Sequence, residues 1–172
     1  MPQSAEETLR GARTRARAVE RALERSDREL RELRAALRKV GAELEATEQQ
    51  VLDLAHRISE LRREQNTLRQ KVKKHYKLLR ETRPGLAPAR RRSLARDLTR
   101  LRARLEKVEA EIEKLESRYE ELVAEEAELI GREVALEKEL DAVRARHEAW
   151  LKEALRLSES LARRVRDLQV RL

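Results

Sequence analysis

Apolar residues recur along this chain at steps that alternate between three and four, in two long runs separated by one short break. The first run passes through Leu9, Ala12, Ala16, Val19, Leu23, Ser26, Leu30, Leu33, Leu37, Val40, Leu44, Thr47, Val51, Leu54, Ile58, Leu61, Gln65, Leu68, Val72, His75 and Leu79. The second passes through Leu94, Leu98, Leu101, Leu105, Val108, Ile112, Leu115, Tyr119, Leu122, Glu126, Leu129, Glu133, Leu136, Leu140, Val143, His147, Trp150, Ala154, Leu157 and Leu161. A sustained three–four alternation keeps one stripe of a helix turned toward a partner helix, which is the heptad pattern of a left-handed coiled coil. The pattern predicts an all-α protein.

The two seams also predict their own partner. If the chain folds back so that paired residue numbers total 173, Leu79 meets Leu94, His75 meets Leu98 and Val72 meets Leu101. The same register sets Ile58 against Leu115, Ser26 against His147, Leu23 against Trp150 and Ala12 against Leu161. One constant total serves every layer, as an antiparallel pair requires and a parallel pair does not. The expected architecture is a single coiled-coil hairpin over residues 1–172.

The helix ends follow from local chemistry. Ser4-Ala5-Glu6-Glu7 reads as a capping box, with the Ser4 hydroxyl taking the Glu7 amide. Helix one is expected over about residues 4–83, because Pro84 disfavours helical backbone at Arg83. Gly85 supplies a residue tolerant of the left-handed region, and Pro88 suits the first turn of the next helix. The turn is therefore residues 83–88, and helix two continues to about residue 170. At ~1.5 Å per residue, seams of about 70 residues imply a paired length on the order of 105 Å.

Two irregularities interrupt this regularity. Gly41 and Gly131 fall at nearly the same level, beside the layers Thr47 with Glu126 and Val40 with Glu133. A glycine costs about 1 kcal/mol against alanine in a helix, and a seam glutamate must reach water or a cation such as Arg38 or Lys39. A softened zone is expected there. Second, Val123, Ala127, Ile130 and Val134 form a stripe one position over from the seam, taken up again by Leu151, Leu155, Ala162 and Val165. This widens the apolar face beyond what one helix covers and makes Val123, Ala127, Ile130, Val134, Leu151 and Leu155 candidates for an oligomer interface, with a homodimer as its product.

Composition removes several classes of protein. Charged residues make up 43% of the chain, aromatics 2%, and phenylalanine is absent, the profile of a coiled coil rather than a globular enzyme. There is no cysteine, so no disulfide framework and no thiolate metal site is expected. No apolar run approaches the ~20 residues of a membrane span, and residues 1–17 lack the apolar core of a secretory signal. A cytoplasmic location is expected.

Charge is distributed unevenly. Between residues 71 and 100 stand Lys71, Lys73, Lys74, Lys77, Arg80, Arg83, Arg90, Arg91, Arg92, Arg96 and Arg100, opposed only by Glu81 and Asp97, which leaves +9 of a total of +8. Residues 101–140 carry 13 acids against 7 bases, or −6. The hairpin tip is thus strongly basic, and a positive field steers anionic partners. Protein partners are expected there, at Lys73, Lys74, Lys77, Arg80, Arg83, Arg90, Arg91, Arg92 and Arg96. Non-specific nucleic-acid binding is the second reading of the same residues, and anionic lipid is a third. Only Tyr76 lies near the tip to stack on a base.

No catalytic constellation, cofactor-binding motif or metal-ligand set is present in the sequence. His56, His75 and His147 are widely separated, and His75 and His147 occupy seam positions. The expected function is non-enzymatic: a structural or adaptor protein docking partners through its basic tip and its open end. In size, hairpin form and basic character the whole chain also resembles the small coiled-coil stalk proteins of type III and flagellar export. That resemblance implies a hairpin seated in a hexameric ATPase, with the open end, Leu9 to Lys39 and Arg144 to Leu172, inside the ATPase and the tip toward the export gate.

Overall fold

A computed structural model of the chain describes residues 5–81 and 87–170. It contains two helices and, among the described residues, no strand: α1, Ala5–Glu81, and α2, Pro88–Val170. They form an all-α helical hairpin. The capping residue Ser4 and the turn residues Arg83, Pro84 and Gly85 lie outside the described residues. Pro88 opens α2 as expected, since the amide it lacks would be unpaired at that position anyway. The Ala87 carbonyl accepts from the amides of Arg90 at 3.0 Å and Arg91 at 3.2 Å, which starts the helix.

The chain divides into two compact units. The turn-side unit is residues 44–128, and the open-end unit is residues 1–43 with 129–172. The division falls beside Gly41 and Gly131, yet both helices run through them without a break. A Cβ placed on Gly41 or Gly131 would meet nothing within 4 Å.

In the turn-side unit the core is Leu61, Leu68, Val108 and Ile112, with Leu101, Leu105 and Leu115 packed around it. These are the layers that the 173 register joins. In the open-end unit Leu30, Leu140 and Val143 form the core, with Leu33 and Leu37 against it. Every buried residue described in the chain is a seam residue, including the polar Ser26 and Thr47. Burying an apolar side chain contributes about 1.5–3 kcal/mol before chain entropy is subtracted, so these layers carry the hairpin.

Two seam residues depart from the expected packing. Leu9 is 42% exposed, because the last α2 seam residue, Leu161, is level with Ala12 and leaves Leu9 without an opposing layer. The register places Trp150 between the helices against Leu23, yet Trp150 is 39% exposed. It lines the flank with Arg15, Ala18, Val19, Ala149 and Glu153. The seam acids Glu126 and Glu133 are half-buried. Neither forms an ion pair with Arg38 or Lys39 among the described residues. Their carboxylates keep contact with water instead, as a long side chain at a partly open seam can.

Candidate functional site

The last turns of α1 and the first turns of α2 bring the basic cluster together at the turn end of the turn-side unit. Lys73, Lys74, Lys77, Arg80, Arg90, Arg91, Arg92 and Arg96 are all exposed, as are Lys71 and Arg100. Arg83 lies outside the described residues. The register sets Arg96 level with Lys77 and Arg100 level with Lys73. Tyr76 is 42% exposed and lines a shallow groove with Lys73, Lys77, Arg80 and Glu81.

The same unit contains arginines with a different role, and the contrast defines the site. Away from the tip, Arg57 pairs with Glu111 at 3.3 Å, Arg69 with Glu109 at 3.1 Å and Arg104 with Glu64 at 2.7 Å, while Arg62 pairs with Glu116. Each pair crosses from one helix to the other beside the seam. Such exposed pairs contribute up to about 1 kcal/mol each and neutralise their flank. Among the described tip cations there is one ion pair, Lys77 with Glu81 at 3.8 Å within α1. Arg92 Nε donates to the Pro88 carbonyl at 3.4 Å, a contact that leaves its charge in place.

Helix electrostatics separates the two halves of the cluster. Lys77 and Arg80 lie near the C-terminus of α1, where the partial negative charge of the helix favours cations. Arg90, Arg91 and Arg92 lie near the N-terminus of α2, where the partial charge is positive and the first turn contains no acid. There a cation opposes the helix rather than supporting it. The fold accounts for the α1 cations and gives no reason for the three arginines of α2.

The apolar stripe is exposed wherever its side chains are described. Val123 and Ala127 belong to the turn-side unit; Ile130, Val134, Leu151 and Leu155 belong to the open-end unit, with Leu155 66% exposed. The side chain of Val165 lies outside the described residues. Leu52, which the sequence pattern does not single out, joins this group at 63% exposed. It follows seam residue Val51 just as Val123 follows Leu122, so its signal on α1 is a single leucine without a repeat. In the open-end unit an apolar groove of about 560 Å³ runs along Ala16, Val19, Leu23, Ala154, Leu157 and Leu161, with Glu20 and Glu24 beside it.

His147 and His75 bond within the hairpin, while His56 is exposed and lies 3.4 Å from Glu60 of the next turn. Ser26 Oγ donates to the Leu23 carbonyl at 3.1 Å and lies 2.7 Å from His147 Nδ1. His75 Nδ1 donates to the Lys71 carbonyl at 2.8 Å. Among the described residues no group of three histidine or carboxylate side chains could hold a metal ion. No described helix is long and apolar enough to cross a membrane. Comparison with protein-family models, with curated proteins and with solved structures finds no match to this chain.

Proposed function

We propose that this protein is a non-enzymatic coiled-coil adaptor that docks an acidic protein surface through its basic hairpin end. The observation that carries this reading is the placement of Arg90, Arg91 and Arg92. They are exposed, unneutralised by any described acid, and set at a helix end that disfavours cations. A side chain that works against its own helix is explained by an anionic group outside the chain. Exposed Tyr76 supplies an apolar contact beside the charges, which suits a protein surface. A lone aromatic gives little to a nucleic acid, whose single strands are held by successive stacked bases. The groove at Leu23 and Leu157 offers a second docking point on the open-end unit.

The test compares the full chain with a variant carrying Arg90→Gln, Arg91→Gln and Arg92→Gln. Both are titrated with polyglutamate and with duplex and single-stranded nucleic acid across a salt series, and both are used to capture partners from lysate of the source cells. The expected result is protein capture that survives nuclease treatment and is lost in the variant. Capture abolished by nuclease, with steeply salt-dependent nucleic-acid binding lost in the variant, would make the tip a nucleic-acid surface. Capture equal in both proteins would remove the tip from the function.

A further inference from the structure

The two flanks of the turn-side unit differ in a way that points to a second copy of the chain. On one flank stand the residues that immediately follow seam positions. In α1, between residues 52 and 69, these are Leu52, Ala55, Ser59, Arg62, Asn66 and Arg69, with no acid among them; Glu48 and Glu45 follow on the same row beyond Leu52. In α2 they are Glu106, Glu109, Glu113, Glu116 and Glu120, five glutamates at successive flank positions, followed by Val123 and Ala127. The ion pairs Arg62 with Glu116 and Arg69 with Glu109 close across this flank and show that both rows face the same side. Over residues 52–69 the α1 row is therefore basic and the facing α2 row acidic, and each carries an exposed apolar residue at the same side of its charges: Leu52 at 63% and Val123 at 40%.

The opposite flank shows no such segregation of charge. Asp53, Arg57, Glu60 and Glu64 mix both signs along α1, as do Arg104, Lys107, Glu111, Lys114, Arg118 and Glu121 along α2. This flank's exposed large apolar residue among the described residues is Leu78, at the turn end and away from these charges. The segregation is specific to the first flank.

We propose that a second copy docks on this flank, side by side and parallel, so that α1 of each copy lies on α2 of the other. A twofold axis along the turn-side unit produces this arrangement and repeats every contact. It sets the Leu52 of each copy at the level of the other's Val123, within one helical turn, and covers both. It also brings Arg62 to Glu113 and Arg69 to Glu106 across the interface. Glu106 and Glu113 make no ion pair within the chain among the described residues, so they are open to a second cation. Charges flanking an apolar seam select partner and orientation in this way in coiled coils. The antiparallel alternative would lay α1 on α1 and oppose Arg62 and Arg69 to their own kind, and like-charge juxtaposition disfavours it. The two basic tips lie at the same end of the pair, where exposed like charges are screened beyond about 8 Å at physiological ionic strength. None of Arg90, Arg91 and Arg92 takes part, so the tip-neutralised variant keeps the same mass.

The test is the mass of the full chain by sedimentation equilibrium, with cross-linking to fix the orientation. The expected mass is twice the 20.2 kDa of one chain. Leu52→Glu is expected to sediment as a monomer with its helicity intact, because Leu52 contributes nothing to the core. The chain has no cysteine, so Leu52→Cys and Val123→Cys can be prepared separately and mixed. A short bismaleimide should then yield cross-linked dimer in the mixture and none in either variant alone. A monomeric wild-type chain would overturn the proposal, as would an unchanged mass for Leu52→Glu. Cross-linking of Leu52→Cys with itself, not increased by mixing, would overturn the parallel arrangement.

Discussion

His147 Nδ1 lies 2.7 Å from Ser26 Oγ, joining the two helices through a seam layer that contains no apolar residue. Because the hydroxyl gives its proton to the Leu23 carbonyl, the imidazole must donate from Nδ1. Removing one partner leaves a partly buried donor or acceptor unmet, whereas replacing both restores an apolar layer. Ser26→Ala is therefore expected to destabilise the hairpin by about 1–2 kcal/mol. Ser26→Leu with His147→Leu should match or exceed the stability of the parent. Urea unfolding followed by circular dichroism measures both. Equal losses for the single and the double variant would mean that the hydrogen bond contributes nothing beyond volume.

The glycines offer a gain. Gly131 is exposed within α2, and an added Cβ there meets nothing within 4 Å. Gly131→Ala should stabilise by about 1 kcal/mol through helix propensity and a less mobile unfolded chain. A rise in the urea midpoint with an unchanged slope is the expected reading. A fall would show that the position requires glycine for a reason absent from the isolated chain.

Core and flank leucines should separate cleanly. Leu61 is 1% exposed and belongs to the cluster with Leu68, Val108 and Ile112. Leu61→Ala is expected to cost about 2–5 kcal/mol, while Leu52→Ala should change monomer stability by less than about 0.5 kcal/mol. Thermal melts at a concentration below dimer formation make the comparison. Comparable losses at the two sites would contradict the burial pattern.

Neutralising the tip should not weaken the fold. Cations near a helix N-terminus oppose the helix dipole, an effect of about 0.3–1 kcal/mol in exposed settings. The triple change of Arg90, Arg91 and Arg92 to glutamine is expected to leave the melting temperature unchanged or slightly higher while it removes binding to anionic partners. A clear drop in melting temperature would assign these arginines a structural role.

The heptad geometry of the sequence was enough to determine the two helices, their antiparallel pairing and the residues that fill the core. Ser26 with His147 shows how far this reaches, since a single running total joins residues 121 apart in the chain. The reason is that a helix of nearly constant pitch converts spacing directly into direction, so a seam written in sequence is a seam in space. The basic cluster was equally legible, because it is a matter of composition along a short stretch. What the tertiary structure alone decided lies beside the seam. Arg57, Arg62, Arg69 and Arg104 are neutralised across the helices whereas the described tip arginines are not, and a count of charges does not say which acid each arginine reaches. The exposure of Trp150 and the bareness of Leu52 beside the row of Val123 also had to be seen in three dimensions. Two helices cover only the stripe between them. What happens on the flanks depends on side-chain size and on which residues of the other helix come within reach, and neither is encoded in the spacing of one helix.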